Sequence, residues 1–226
     1  MNKTLSTVLA LAVASVTILC APVASAQQSA GNAEAGRGKV AMCLGCHSIM
    51  GYRSSFPEVA RVPKISGQGA EYLISALTAY KKGERKHPTM HSIAESLTDQ
   101  DMADVAAYYA AQGLKDGAAK TLSQPDAKVG ALLQKGACVS CHGQNLASPI
   151  APNYPQLAGQ HPDYLYVALK AYKTENNATI GRGNAVMGAI AKQFSNAEMK
   201  TLANYIGSLD GNLQTVPESR LHHASN

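Results

Sequence analysis

Two short stretches of this 226-residue chain repeat one pattern, Cys43-Leu44-Gly45-Cys46-His47 and Cys138-Val139-Ser140-Cys141-His142. A bare C-x-x-C pair occurs in zinc sites and thiol redox sites, whereas C-x-x-C-H is the attachment signature of haem c. Two thiols about one helical turn apart reach the two vinyl groups of one porphyrin, and the adjacent histidine is directed at the iron. The pattern therefore predicts two covalently bound haem c groups, one on Cys43 and Cys46 and the other on Cys138 and Cys141.

Two other interpretations of these cysteines stay open. Four cysteines in an oxidising compartment could form two disulfides, and four cysteines with two histidines could bind zinc. Neither explains why a histidine occupies the same place after both pairs. The fifth cysteine, Cys20, lies in a segment that we expect to be removed, so no thiol is left over for catalysis.

The N-terminus has the layout of a secretory signal peptide. Lys3 precedes a mostly apolar run over residues 8–19, and small residues then lead to Ala26. The run is too short to span a bilayer comfortably, which predicts cleavage after Ala26 and export to the periplasm. A retained membrane anchor is the alternative. A lipoprotein anchor at Cys20 is disfavoured because Leu19, rather than a small residue, precedes it.

An internal repeat pairs residues 63–81 with residues 155–173. Aligned without gaps, the two segments share ten of nineteen residues, in the order Pro, Gly, Gln, Tyr, Leu, Ala, Leu, Ala, Tyr and Lys. The halves are 138 − 43 = 95 positions apart at the cysteines and 155 − 63 = 92 at the prolines, so the first loop is three residues longer. The chain is therefore a duplicated module with different loops.

Residues 114–125 combine Gly, Ser and Pro, as a linker between modules does. The predicted organisation is a signal peptide over residues 1–26, domain 1 over 27–118, domain 2 over 119–212, and a flexible C-terminal tail over 213–226.

Each module is predicted to be helical. Residues 34–46 and 126–141 have helical composition, and residues 72–81 and 164–173 repeat Leu and Ala at three- and four-residue steps. A third helix begins with a capping box in each half, in which a hydroxyl and an acid three residues later bind free backbone amides. The boxes are Thr98 with Asp101 and Ser195 with Glu198. Because no strand-like alternation is present, we expect an all-α fold.

A methionine stands eight residues before each capping box, at Met90 and Met187. A thioether opposite an imidazole favours ferrous iron and raises the reduction potential. We therefore predict axial ligands in two pairs: His47 with Met90, and His142 with Met187.

Other side chains compete for these roles. His87 and His91 flank Met90 and are alternative ligands, although domain 2 has no histidine near Met187. Met102 and Met199 are also repeat-equivalent, but they lie within an amphipathic helix and are predicted to be core residues.

The motifs together resemble the dihaem cytochrome c4 family over about residues 31–209. The resemblance rests on two C-x-x-C-H motifs, a Pro-x-x-x-Gly-Gln segment after each, and a methionine eight residues before a polar cap. It implies two tandem class I cytochrome c domains related by pseudo-twofold symmetry, with haem edges close together and electron delivery toward a terminal oxidase. It also implies the same four axial ligands, with the carbonyls of Pro63 and Pro155 orienting the histidines.

This sequence departs from the family pattern in its first loop, residues 50–57, which lacks the Gly-rich, Asp-containing sequence that often follows the first histidine. The tail after Asp210 is also longer than expected. Both departures leave the identity of the partner open, and neither touches the ligands.

The leading functional hypothesis is a periplasmic electron carrier, not an enzyme, whose partners are redox proteins such as a membrane cytochrome complex, a terminal oxidase or a dehydrogenase. Peripheral docking on a membrane stays open. A second hypothesis is a dihaem subunit of a dehydrogenase, for example one with a flavoprotein that oxidises sulfide. A haem enzyme is disfavoured because methionine caps both predicted irons.

The formal net charge of +5 is mild and haem propionates would offset it, so we expect no nucleic-acid partner.

Overall fold

The computed structural model describes residues 30–113 and 124–217, so the predicted signal peptide, most of the predicted linker and the end of the predicted tail lie outside the described residues. Two helical domains follow each other along the chain, which confirms the predicted fold class. Within the described ranges, none of the helices combines the length and apolarity that crossing a membrane requires.

Domain 1 contains α1 (Ala33–Lys39), α2 (Ala41–His47), β1 (Arg53–Ser54), β2 (Ala60–Arg61), α3 (Ala70–Lys81), β3 (Arg85–Lys86), α4 (Pro88–Glu95) and α5 (Asp99–Ala110). Domain 2 contains α6 (Ala127–Lys135), α7 (Cys138–His142), α8 (Pro162–Lys173), β4 (Gly181–Arg182), α9 (Ala185–Lys192) and α10 (Asn196–Ser208).

The first helical segment of each domain is interrupted, where the sequence predicts continuous helix over residues 34–46 and 126–141. Val40, with φ −84° and ψ 5°, ends α1 and begins α2. Ala137 adopts the left-handed conformation, with φ 47° and ψ 35°, which a right-handed helix cannot continue through. Each cysteine pair therefore lies on a short helix of its own, α2 or α7.

Both predicted capping boxes are present and begin the last helix of each domain. Thr98 Oγ1 accepts from Asp101 N at 3.1 Å, while Asp101 Oδ2 accepts from Thr98 N at 3.0 Å. Ser195 and Glu198 repeat the exchange at 3.2 Å and 2.7 Å. The caps satisfy backbone amides that helix geometry leaves free, and so they determine where α5 and α10 begin.

Each domain has its own apolar core. In domain 1 the buried cluster is small, and its members are Val40, Leu73, Val105, Ala106 and Tyr109. In domain 2 it is larger, and its members are Val129, Leu132, Leu133, Leu146, Ala147, Ala158, Leu165, Phe194, Met199, Leu202, Ala203, Ile206 and Leu209. Met102 and Met199 are 1% and 0% exposed, which confirms their prediction as core residues.

Two short antiparallel strand pairs supplement the helices, which the sequence does not predict. Strands β1 and β2 close the first loop, whereas β3 of domain 1 pairs with β4 of domain 2. In this second pair Arg85 lies directly opposite Arg182. The two arginines are repeat-equivalent, since each stands five residues before its methionine. Equivalent residues that face each other are the mark of an isologous contact about a pseudo-twofold axis.

Two buried glutamines tie the domains together by the same symmetry. Gln68 donates from Nε2 to the Gln156 carbonyl at 3.0 Å and accepts from Gln156 N at 2.9 Å. Gln160 makes the equivalent exchange with Lys64, at 2.9 Å and 3.0 Å. Each glutamine is 4% exposed, so these four bonds satisfy amides that would be costly to bury alone.

The chain returns to domain 1 after α10. Leu213 is 4% exposed, Gln214 N donates to the Ser66 carbonyl at 2.9 Å, and Asn212 Nδ2 donates to the Gly67 carbonyl at 3.1 Å. The tail predicted to be flexible from residue 213 therefore begins with a buried Leu213 and with Gln214, whose backbone is bound to domain 1. Residues 218–226 lie outside the described residues.

Candidate haem sites

The four motif cysteines occupy equivalent places on the short helices α2 and α7. Cys43 and Cys46 are separated by three positions on α2, as Cys138 and Cys141 are on α7, so each pair shares one helix face. None of these four thiols forms a disulfide. In the described ranges, no group of three or more His, Cys, Asp or Glu side chains is arranged to hold a metal ion.

Burial raises the pKa of the inner thiol in each pair. The effect acts on Cys43, whose thiol also has a side-chain hydrogen bond with Tyr109 that works in the opposite direction. It acts likewise on Cys138. Cys43 and Cys138 are therefore neutral thiols that pack against the cores of their domains.

Both motif histidines are oriented by a proline carbonyl. Nδ1 of His47 lies 2.9 Å from the Pro63 carbonyl oxygen, and Nδ1 of His142 lies 2.9 Å from that of Pro155. Because a carbonyl oxygen only accepts, Nδ1 carries the proton in both rings and Nε2 is left with its lone pair. Burial lowers the pKa of both imidazoles, which favours the neutral form that binds iron. The orienting role expected of Pro63 and Pro155 is present in both domains.

Met90 and Met187 lie in the first turn of α4 and α9. The residue three positions earlier caps each helix, and its side chain accepts from the methionine N–H. His87 accepts at 3.4 Å in domain 1 and Asn184 at 2.9 Å in domain 2. The caps fix the backbone of both methionines in the same way.

The two histidines that compete with Met90 are already engaged. His87 uses Nδ1 to accept from Met90 N and also has a hydrogen bond to the backbone of Phe56, whose ring it meets edge-on at 5.5 Å. His91 donates from Nδ1 to the Tyr80 carbonyl at 2.8 Å, and its Nε2 lies 3.8 Å from Glu95. The contact of His87 disfavours it as a ligand, because a ring that accepts at Nδ1 carries its proton on Nε2. His91 has the same tautomer as His47, so it stays an alternative to Met90, and the axial assignments stay predictions.

The side chains of each domain fit a covalently held haem. Every attachment site offers two thiols on one helix face, a neutral imidazole with Nε2 available, and a methionine on a capped helix from another part of the domain. The fit is equivalent in the two halves.

Sequence reasoning missed the residues at the axis between the domains. Gln68 and Gln160 belong to the repeated Pro-x-x-x-Gly-Gln segment, but their role in joining the domains is visible only in three dimensions. Arg85 and Arg182 carry a signal that could have found them, since each precedes its methionine by five residues.

Comparisons with known proteins agree with this geometry. The cytochrome c family model matches residues 33–111 and again residues 127–210. A cytochrome c4 from Stutzerimonas stutzeri is 35% identical over 195 residues, which cover 80% of this chain and 90% of that protein. The crystal structure of reduced recombinant cytochrome c4 from Pseudomonas stutzeri superposes with a TM-score of 0.57 at 31% identity, over 80% of this chain and all of the other.

A further relative has a different name. A thiosulfate dehydrogenase electron acceptor from Stutzerimonas stutzeri strain A1501 is 33% identical over 177 residues, which cover 74% of this chain and 78% of that protein. The matched length of two domains, the two matches to the family model and the two complete attachment motifs all indicate a protein with two haem-binding domains. The chain belongs to the dihaem cytochrome c4 family, carries two covalently bound haem c groups and is an electron carrier.

Proposed function

We propose that this protein is a periplasmic shuttle that accepts single electrons at one haem, passes them internally and donates them from the other toward a terminal oxidase. The observation that supports it most is the symmetric contact between the domains. Backbone pairing of β3 with β4 and the reciprocal bonds of Gln68 and Gln160 join the two haem-bearing domains. A fixed relation between two redox centres is what internal electron transfer requires.

His47 and Met90 are proposed as the axial ligands of the first iron, and His142 and Met187 as those of the second. Iron ligated in this way supplies a reversible one-electron couple with a raised potential. The chain contributes the neutral tautomer of each imidazole, through Pro63 or Pro155, and a capped helix that presents each thioether.

Export and the domain limits are part of the same proposal. Residues 1–26 would be removed on passage to the periplasm, leaving domain 1 over residues 27–118 and domain 2 over 119–212. The layout of the N-terminus supports export, and the internal repeat supports the division into two domains.

Apolar side chains around the first attachment motif favour a docking contact there. Met42, Ile49 and Met50 are 50%, 48% and 69% exposed. At the positions two and three residues after the second motif histidine, domain 2 carries the polar residues Gln144 and Asn145, and its exposed apolar residue beside the motif is Ile150, 69% exposed, whose N–H donates to the Cys141 carbonyl. An exposed apolar surface beside a redox centre suits transient contact with a redox partner.

A second candidate function is the electron acceptor of a periplasmic dehydrogenase. The similarity to a thiosulfate dehydrogenase electron acceptor supports it, and the fold serves either role. Co-purification with a catalytic subunit would favour this candidate, whereas a monomer that reacts equally with soluble donors would favour the shuttle.

The test is rapid mixing of the reduced holoprotein with oxidised membrane oxidase, and of the oxidised holoprotein with reduced thiosulfate dehydrogenase. We expect the visible bands of both haems to change, and fast reoxidation by the oxidase identifies the shuttle. A fully ligated protein that exchanges electrons with neither would contradict the proposal. Rapid binding of carbon monoxide to the ferrous protein at neutral pH would instead favour a haem enzyme.

A further inference from the structure

One hairpin of domain 1 reaches across to the first turn of α8 in domain 2. This first-loop hairpin comprises residues 53–61 and contains strands β1 and β2. Asp163 of α8 accepts from Arg61 Nε at 3.0 Å, from Arg61 N at 3.1 Å and from Arg53 Nη1 at 3.3 Å. The carboxylate of one domain therefore binds both strands of a hairpin that belongs to the other.

The contact is an ionic network with a second point of attachment. Burial alone would raise the pKa of the Asp163 carboxyl, but the bonds from Arg61 outweigh it and lower that pKa, so the group is ionised at neutral pH. Glu58 pairs with Lys170, two turns further along α8, at 2.7 Å. Isolated surface ion pairs contribute little, whereas a network that shares one carboxylate holds its members more firmly.

This contact occurs on one side of the pseudo-twofold axis only. Glu71 of α3 is the repeat equivalent of Asp163, since 163 − 92 = 71, and it also lies in the first turn of its helix. Glu71 is exposed, and none of the ion pairs among the described residues includes it. The corresponding loop of domain 2, residues 143–153, contains no charged residue and has Asn153 in place of Arg61.

The first-loop hairpin is also bound to the helix that carries Met90. The backbone of Phe56 accepts a hydrogen bond from the His87 ring, which its own ring meets edge-on at 5.5 Å. The other ring nitrogen of His87 caps α4 by accepting from Met90 N. Asn184 caps α9 in the same way, but none of its hydrogen bonds within the described residues reaches the loop over residues 143–153. His87 therefore joins a cap to a loop, which Asn184 does not.

We propose that the first-loop hairpin is a one-sided clasp through which domain 2 holds α4, the helix of Met90, in place. Asp163 anchors the hairpin, and His87 is the positioning residue that passes the restraint to the first turn of α4. Within the described residues, no equivalent path leads from domain 1 to α9, the helix of Met187. Release of the clasp therefore loosens α4 and leaves α9 unchanged. The inference rests on the proposed function only in that Met90 is the proposed ligand of the first iron.

The test compares hydrogen exchange of oxidised holoprotein carrying D163N or the matched control E71Q. Both variants remove one acid from the first turn of a helix, but only D163N takes a partner from Arg53 and Arg61. We expect D163N to speed amide exchange about fivefold in residues 53–61 and in α4, the size of effect that loss of a small ion-pair network gives. Exchange in α9 should stay at the wild-type rate, and E71Q should change none of the three segments. Wild-type exchange of α4 in D163N, or equal acceleration of α9, would overturn the proposal.

The route through His87 has its own test. H87N introduces the residue that caps α9, so it keeps an acceptor for Met90 N but is too short to reach Phe56. We expect α4 to exchange in H87N as fast as in D163N, and H87N/D163N to show no further acceleration of α4. Additive effects of the two changes on α4 would show independent routes and overturn the proposal. R61Q, which removes a donor instead of the acceptor, should reproduce D163N, and wild-type exchange in R61Q would contradict the clasp.

Binding of imidazole to the ferric holoprotein separates the clasp from the ligand assignment. Imidazole enters a six-coordinate haem only when the thioether leaves, so its binding rate reports local opening of the methionine helix. We expect D163N to speed one of two kinetic phases about fivefold and E71Q to change neither. Equal acceleration of both phases would overturn the proposal. Fast exchange in α4 with wild-type imidazole phases would support the clasp and reject Met90 as a ligand, so the two failures are distinguishable.

Discussion

Domain 1 and domain 2 contain equivalent haem sites, but the first and last helices of each domain are held together by different interactions. In domain 1, α1 lies so close to α5 that a Cβ on Gly36 would fall 2.1 Å from the Asp104 carbonyl oxygen. In domain 2, Gly130 of α6 likewise stands four residues after the N-cap, but a Cβ on it would meet nothing nearer than Pro125, at 4.0 Å. The two domains have therefore kept the same haem site, while the packing between their first and last helices has diverged.

The polar side of the same contact differs as well. Asp104 is 3% exposed and accepts from Asn32 N at 2.8 Å, Lys39 Nζ at 2.7 Å and Gln100 Nε2 at 2.8 Å. The equivalent residue of domain 2 is Thr201, whose hydroxyl donates within its own helix, to the Ala197 carbonyl. Domain 1 therefore closes around a buried carboxylate, whereas domain 2 closes around its larger apolar core.

The largest expected effect tests what the domains share. Replacing Met90 or Met187 by Ala should remove about half of the near-infrared charge-transfer band between sulfur and iron. It should also lower one haem potential by on the order of 0.1 V or more, within the roughly 0.8 V that axial ligands span. Near-infrared spectra and redox titration measure both effects. If M90A leaves the band intact while M187A removes all of it, Met90 does not ligate the first iron and the ligands of the two domains differ.

Glycine packing offers the next largest contrast. G36A should destabilise the protein by on the order of 1–3 kcal/mol, because the added methyl group meets backbone that cannot move away cheaply. G130A is its matched control and should be neutral or stabilising by up to about 1 kcal/mol, since alanine favours helix. Urea unfolding gives the free energies, and equal effects of the two variants would contradict the difference in packing.

Removal of the buried Asp104 carboxylate should destabilise domain 1, whereas the equivalent change in domain 2 should have little effect. D104N should cost about 1–3 kcal/mol because several donors lose a charged acceptor in a buried place. T201V, at the equivalent position, should stay within about 0.5 kcal/mol of wild type. Hydrogen exchange should show faster opening of α1 and α5 in D104N. Faster opening of α6 and α10 instead would contradict the account.

The surfaces around the two motifs should differ in function. The double variant I49Q/M50N gives domain 1 polar residues like those of domain 2, and we expect it to slow electron exchange with a partner about fivefold, as loss of a modest interface contact does. V186N, which changes an exposed apolar residue of domain 2, is the control and should leave the rate unchanged. A larger effect of V186N would place the docking contact on domain 2.

Acid sensitivity gives the smallest contrast. The bond from Asn32 N, followed by those from Lys39 and Gln100, lowers the pKa of Asp104 below its ordinary 3.8. Its stabilisation is therefore complete above about pH 4 and is lost as the pH falls toward the folded-state pKa. Urea midpoints between about pH 5 and pH 2 should fall less steeply in D104N than in wild type. Part of the loss should remain, because bonds with Ser195 lower the pKa of Glu198 in domain 2 to about 2. An identical slope in D104N would contradict the role of Asp104.

Local chemistry made much of this protein predictable from its sequence. The capping boxes at Thr98 and Ser195 and the motif cysteines depend on residues within a few positions of one another, so spacing alone reveals them. The breaks at Val40 and Ala137 were not predicted because ordinary apolar residues occupy them. Contact between the domains was not predicted either. Its hydrogen-bonded residues are 79 to 145 positions apart, and no local pattern shows which surfaces meet.

The central claim is that each domain carries a complete, six-coordinate haem. Redox titration of the full-length exported holoprotein, followed in the visible and near-infrared, tests it most directly when combined with a haem count per chain. The account predicts two haems, two one-electron steps and a sulfur-to-iron band that belongs to both. One haem per chain, or a second haem without that band, would contradict it.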